Sequence, residues 1–325
     1  MRIAITGATG GVGRAVCRLA RARGDKVKAL VRDPARASEL AALGVELVRG
    51  DLEDLAALER TAEGADAFIH GAAHVGDTGT AEEFERVNVG GTRNALEATA
   101  RARVKRFVHV SSSAVYGRPP HGNIDEQHPV RPFGTPYEDT KLAAEQLAFG
   151  RGKELGLQVS AVRPCIVFGP EDRVFLPRAV ATLRARRGLL INGGKTPLNV
   201  VDADDVADVL LRCASHPNAV SEAFNVASSP PPTVREVFDA IADAAGVPRA
   251  SISVPYSVAM PIARVVDALW KALKRPGPAP VTPFVVTLMP RDVVYDASKA
   301  RRMLGWEGGR DPLEAIRKIV GGMRR

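Results

Sequence analysis

The opening thirteen residues constrain the fold more than any other stretch. Ile3-Ala4-Ile5-Thr6 is a short apolar run, and Gly7-Ala8-Thr9-Gly10-Gly11-Val12-Gly13 follows it, with glycines at 7, 10 and 13. From Arg14 to Arg23, Val16, Leu19 and Ala20 recur at helical spacing. Strand, glycine turn and helix in succession begin a β-α-β unit, whose two strands must run parallel. Glycines so spaced let backbone approach a ligand closely and aim helix N-terminal N–H groups at an anion such as a pyrophosphate. Gly7, Thr9, Gly10, Gly11, Val12 and Gly13 are therefore candidate phosphate-binding residues. The spacing is a weak signal in isolation; its place between a strand and a helix is what makes it informative.

The alternation then repeats. Residues 27–31, 45–48, 67–70, 107–110 and 159–164 are apolar strand-like runs, separated by helical stretches that include one from about 82 to 102. That order predicts an α/β chain with a doubly wound, Rossmann-type parallel sheet that binds its ligand at the C-terminal strand ends. The second strand ends in Val31-Arg32-Asp33-Pro34. An acid at this position would hold the adenosine 2′-hydroxyl of NAD, whereas Arg32 can pair with a 2′-phosphate, so the reading favours NADP; Asp33 turned inward would leave NAD open. Gly50-Asp51-Leu52 follows the third strand, with Asp51 placed to accept from an adenine amino group. Gly71, Ala72 and Ala73 follow the fourth and are small enough for a cofactor to lie across them.

The fifth strand ends in Ser111, Ser112 and Ser113, and Tyr137-Glu138-Asp139-Thr140-Lys141 comes later. Four apart on a helix, Tyr137 and Lys141 share one face, about 5–6 Å apart at Cβ. A hydroxyl, a phenol and an ammonium at one point can move a proton to or from an alcohol oxygen. A lysine cation about 5 Å from the phenol, at an effective dielectric near 20, favours phenolate by roughly 3 kcal/mol, about two pK units below the usual ≈ 10. The expectation is a Tyr137 that titrates near neutrality, where proton-transfer groups work best.

Composition sets the outer limits. The 325 residues carry a net charge of +8, with 45% hydrophobic and 25% charged residues, the balance of a globular protein able to bury a large core. Lys and Arg are spread along helical stretches without interleaved aromatics, which argues against a nucleic-acid partner. Cys17, Cys165 and Cys213 form neither a disulfide framework nor a metal pattern, so no metal is expected and a cytoplasmic location fits. The first strand leaves no room for a leader, and no apolar run reaches the ~20 residues of a membrane span.

Taken together, these motifs resemble the extended short-chain dehydrogenase/reductase family, part of the NAD-dependent epimerase/dehydratase superfamily. The resemblance rests on Thr6-Gly7-Ala8-Thr9-Gly10-Gly11-Val12-Gly13, Gly50-Asp51-Leu52, His70-Gly71-Ala72-Ala73, Asn88-Val89-Gly90-Gly91-Thr92 and Ser111-Ser112-Ser113-Ala114-Val115-Tyr116-Gly117. Tyr137-Glu138-Asp139-Thr140-Lys141, Arg163-Pro164, Gly169-Pro170 and Asp204-Asp205-Val206-Ala207 continue it in the family's order, over roughly residues 1–230. The resemblance implies that Tyr137 is the catalytic acid/base and that Lys141 lowers its pKa and holds the nicotinamide ribose. It also implies that Ser112 binds the substrate oxygen, that Asn88 supports the active site, and that Pro164 and Val167 line the nicotinamide pocket.

The remaining chain bears on the substrate. Residues 1–170, with 196–228 returning to them, form the predicted cofactor domain; 171–195 and 229–325 form a smaller, mostly helical substrate lobe. Thr233 and Glu236 have the spacing of a capping box, and Asp202, Asp204 and Asp205 that of a helix start, with a metal site as the alternative. Nucleotide-sugar members of the family place an Arg shortly before the Asp-Asp-Val-Ala helix; here Leu198 holds that place, with Lys195, Arg173, Arg178 and Arg186 as other cations. Residues 256–273 are apolar and helical in pattern, readable as a lid packed on the pocket or as an interfacial helix giving weak membrane-surface contact. A Pro-rich connector, 276–283, follows. The branch most resembled holds 3β-hydroxysteroid dehydrogenases and dihydroflavonol-type reductases, which implies an NAD(P)-dependent interconversion of a secondary alcohol and ketone on a bulky apolar small molecule. Nucleotide-sugar epimerisation or dehydration, and a non-catalytic cofactor-binding role, stand as alternatives; a homodimer is what the family implies.

Overall fold

The computed structural model describes residues 1–76, 78–172, 174–273, 275, 286 and 292–323. Seven strands form the central sheet: β1 (Arg2–Thr6), β2 (Lys26–Val31), β3 (Glu46–Arg49), β4 (Ala67–His70), β5 (Arg106–Val110), β6 (Gln158–Pro164) and β7 (Ala223–Val226). All pair in parallel, in the order β7-β6-β5-β4-β1-β2-β3. The chain starts in the middle, runs out to β3 and returns past β1 to β4. That reversal opens a crevice above the C-terminal ends of β1 and β4, where such sheets bind ligands.

The strands are continuous apolar runs because helices cover both faces. On one face, α1 (Gly11–Ala22) packs on α3 (Ala203–Ser215), and Val16, Cys17, Ala20, Val206 and Leu210 close the core. On the other, Leu55–Ala62, Gly91–Arg101 and α2 (Pro136–Glu154) cover Phe68 and Phe107, whose rings stack 5.8 Å apart. Each fully buried Leu, Val, Ile or Phe contributes about 1.5–3 kcal/mol.

Two expectations change. The stretch 82–102 is not one regular helix: Ala81–Phe84 begins under a Thr80–Glu83 capping box, Glu85–Gly90 is a wide π-helical turn, and Gly91–Arg101 resumes α-helix. The side chain of Asn88 in this turn is bonded sideways, and Gly91 packs closely beside it, where a Cβ would press on the Leu52 side chain, 2.5 Å from Cδ1. Residues 297–306, grouped with the lobe on sequence, pack on the sheet. Ala300, Leu304 and Trp306 share the core of α1 and α3, and Lys299 binds Glu222 and the Ala223 carbonyl beside β7.

The lobe has its own core. Leu176, Leu183, Val237, Ile241, Ile316 and Val320, from helices Phe175–Arg184, Val234–Ala245 and Pro312–Gly322, meet Phe168 and Val200. The Thr233–Glu236 capping box forms as expected, with Thr233 Oγ1 accepting from Glu236 N at 3.2 Å. Of the three acids expected at this helix start, Asp202 caps α3, whereas Asp204 pairs with Arg18 and Arg310 and Asp205 accepts from Arg310 N at 3.3 Å. Among the described residues, no group of three His, Cys, Asp or Glu could hold a metal, and no helix is long and apolar enough to cross a membrane. Residues 276–283, Arg173 and Lys274 lie outside the described residues.

Candidate active site

A cleft of about 960 Å³ lies over the C-terminal ends of β1, β4, β5 and β6, and the lobe closes its far end. Gly7, Thr9, Gly10, Gly11, Val12, Gly13, Arg32, Asp51, Leu52, Gly71, Ala72, Ala73, Tyr137, Lys141, Pro164 and Val167 all line it, as does Ser112. The glycine turn is a tight cradle. Gly7 has φ of +77°, and a Cβ on it would stand 2.5 Å from the Gly71 carbonyl carbon; a Cβ on Gly13 would stand 2.1 Å from the Gly7 oxygen. Gly11 meets nothing within 4 Å, so the start of α1 is open to a ligand. A loop this tight, with helix N–H groups behind it and small residues opposite, fits a pyrophosphate.

At the adenosine end, Arg32 is exposed on the cleft rim, whereas Asp33 caps the next turn through Ala35 N (3.1 Å) and pairs with Arg36 (3.5 Å). Asp33 is absent from the cleft because that turn already uses its carboxylate. Asp51 accepts from Glu53 N (2.8 Å) and Asp54 N (3.1 Å) through one oxygen.

At the other end, Tyr137 lies in the first turn of α2 and Ser112 just beyond β5, and the serine hydroxyl hydrogen-bonds the phenol. Among the three serines, Ser112 also caps its turn by accepting from Ala114 N at 3.1 Å, which fixes its rotamer. Lys141 is buried and donates to the Val110 carbonyl at 2.6 Å. Burial, offset in part by the Glu145 carboxylate, brings its pKa down to about 8. Burial likewise holds the Tyr137 phenol above its usual value; the Ser112 hydrogen bond pulls down and Glu138 pushes up. The expectation of a Lys-depressed phenol is thus corrected. Burial sets the direction of the phenol's shift, and the Lys141 charge is not among its causes.

Asn88, expected to support the active site, lies off the cleft. It is buried behind the wall rather than on the cleft, with Oδ1 accepting from His74 N (2.7 Å) and Nδ2 donating to His74 O (3.2 Å) and Thr140 Oγ1 (3.0 Å). With its amide so engaged, Asn88 clasps the loop after β4 to α2.

Other contributors lay hidden in the sequence. Glu145, one turn beyond Lys141, receives a buried two-pronged bond from Arg163, with Nε to Oε2 at 2.9 Å and Nη2 to Oε1 at 2.6 Å. The i, i+4 step from Lys141 was the available signal for it. Arg163 Nη1 also donates to the Tyr116 hydroxyl (2.9 Å), which donates to Asn225 Oδ1 (2.7 Å), so four elements are tied beneath the site. His70 and His109 stack 5.8 Å apart below Lys141; burial, then the lysine charge, keeps both rings neutral, His70 at about 3. The lobe end of the cleft is walled by Phe133, Ile166, Val174, Phe175, Leu198 and Tyr295. Lys195, Arg178 and Arg186 are exposed and off the cleft. Among the described residues its cations are Arg32, Arg86 and Lys141.

The model of the NAD dependent epimerase/dehydratase family matches residues 3–227. A 4-hydroxy-2-methyl-3-oxo-4-farnesyl-3,4-dihydroquinoline-1-oxide ketoreductase of Stigmatella aurantiaca is 33% identical over 95% of this chain and 92% of its own. A 2-alkyl-3-oxoalkanoate reductase of Stenotrophomonas maltophilia (strain K279a) is 30% identical over 98% of both chains. Among solved structures, MoeE5 in complex with UDP-glucose and NAD superimposes with a TM-score of 0.76 at 26% identity, over 100% of this chain and 99% of that one.

Proposed function

Because the chain belongs to the NAD-dependent epimerase/dehydratase family, we propose that it is a nicotinamide-dependent reductase of ketones carried on bulky, largely apolar molecules. The observation that carries the reading is the neutral, buried Tyr137 phenol bonded to Ser112, at the junction between a dinucleotide-shaped cleft and an apolar wall. The names of the two reductases above, a farnesylated quinoline ketoreductase and a 2-alkyl-3-oxoalkanoate reductase, support the same substrate class. The free cysteines suit a reducing compartment.

Gly7 to Gly13 would hold the pyrophosphate, Asp51 and Leu52 the adenine side, and Pro164, Val167 and Lys141 the nicotinamide nucleoside. When bound, the cofactor supplies a hydride. Ser112 and Tyr137 donate hydrogen bonds to the substrate carbonyl oxygen and fix its place. As that oxygen gains negative charge, Tyr137 passes it the phenolic proton, a step worth about 10²–10⁴ in rate. The Lys141 ammonium, held by Val110, stabilises the phenolate left behind. The apolar wall excludes water, which strengthens each of these interactions. Arg32 on the rim, with Asp33 turned away, supports NADP as the preferred form.

An epimerase reading draws support from the UDP-glucose and NAD named with MoeE5, but Leu198 occupies the place where a diphosphate would need a cation. The deciding experiment incubates the protein with 4,4-dideuterated NADPH and a 2-alkyl-3-oxoalkanoate and analyses the product by mass spectrometry. One deuteron on the new carbinol carbon is expected. An unlabelled product, with a UDP-sugar epimerised without added cofactor, would overturn the proposal.

A further inference from the structure

We propose that helix α4 (Tyr256–Ala272) seats this protein on an anionic lipid surface. One side of α4 buries Ala259 and Ala263 against Leu189, Ile191 and Val254 of the lobe. A second strip is apolar yet exposed: Val258 is 48% exposed, Ile262 50%, Val265 59%, Leu269 56% and Leu273 66%. Leu273 continues the helical turn through its N–H to the Leu269 carbonyl (2.9 Å). At 100° per residue these positions fall within about 80° of the circumference, and at 1.5 Å per residue the strip is roughly 22 Å long. Single exposed aliphatics are ordinary on a protein surface; a continuous row over four turns is not.

Charge decides what would cover the row. Residues 256–275 carry Arg264, Lys271, Lys274 and Arg275 against one carboxylate, Asp267. Arg264, about 100° round the helix from Val265, and Arg275, just past the helix end, are both exposed. An aliphatic row with a basic margin is the pattern of a helix lying in a headgroup boundary, where anionic lipid attracts the cations and acyl chains take the aliphatics. A second copy of the same face would instead oppose like charges, and the chain as a whole is also positive, at +8. The proposal stands apart from the ketoreductase reading, since vesicle binding is measured without turnover.

Flotation of the whole chain with vesicles of equal parts phosphatidylcholine and phosphatidylglycerol is the test, beside pure phosphatidylcholine vesicles and the Val265→Asp, Leu269→Asp double variant. The wild type should float with the mixed vesicles. Pure phosphatidylcholine, or the double variant with an unchanged circular-dichroism spectrum, should lower the bound fraction about tenfold or more. Wild-type protein that stays at the bottom of the gradient would overturn the proposal. Equal flotation of the variant would do so too, by placing the contact elsewhere on the basic surface. A wild-type dimer in light scattering that the variant dissociates, without flotation, would assign the row to a second copy.

Discussion

The glycine turn at the head of α1 and the apolar wall at the lobe end bound the same cleft, yet they are built on opposite rules. In the turn, geometry admits one residue: a Cβ on Gly13 would lie 2.1 Å from a backbone oxygen. In the wall, Val174, Phe175 and Leu198 are asked only to be apolar and of suitable size. Tight rules write themselves into sequence as spaced motifs, and loose ones leave a composition. The chemistry is therefore readable where contacts are exacting, while substrate identity lies where many sequences would serve.

Breaking the exacting side should have the largest effect. Gly13→Ala forces the backbone of the turn apart, so NADPH affinity measured by calorimetry should fall about a hundredfold or more, or the chain should fail to fold. Phe175→Leu on the loose side should leave that affinity within about twofold and change the Michaelis constant for the ketone. Normal NADPH binding by Gly13→Ala would erase the contrast.

The next effect concerns the layer below the cleft. His70 and His109 are held neutral, with pKa values below the 6.5 they have when unfolded. The unfolded chain thus binds more protons as pH falls below about 6.5, and stability is lost from there down toward about 3. Melting temperature followed from pH 7 to 4 should drop, and His109→Phe should flatten the drop; an unaltered slope would remove these rings from the acid response. Lys141, pulled down by burial as the histidines are, acts on the alkaline side and through activity. Its ammonium is present below about 8 and lost above it, so turnover should decline as pH rises through that value, a limb absent from Lys141→Arg.

Leu198→Arg should have the smallest effect and sharpens the comparison most finely. It restores a cation at the lobe end, so weak UDP binding should appear in calorimetry with NADPH affinity unchanged. No gain would show that the wall excludes diphosphates by shape rather than by missing charge.

How far the sequence could be read follows the same division. The six strands that carry site residues were legible to within a residue or two, because fully buried parallel strands are unbroken apolar runs. The cleft-lining residues of the glycine turn, Gly71 to Ala73 and Tyr137 were legible through motif order. The π-turn at Asn88 was not, since apolar spacing says nothing of a side chain bonded to another loop. Tyr116 and Asn225 are 109 residues apart, and no local pattern joins them. The direction of the Tyr137 shift was missed because charge spacing can be counted along a helix, whereas desolvation exists only once the cleft is built. The helix Tyr256–Ala272 was recognised by its apolar residues, but which of them face outward came only from the fold.

Tyr137 is held to pass the proton, with Lys141 stabilising the phenolate and the other cleft residues binding and positioning. Turnover of an apolar ketone by Tyr137→Phe, with NADPH affinity measured in the same preparation, tests it most directly. Phenylalanine keeps the ring that packs edge-on to Phe84 and removes only the hydroxyl. Unchanged NADPH binding and a fall in kcat of about 10²–10⁴ are expected. Turnover equal to the wild type, with cofactor still bound, would contradict it.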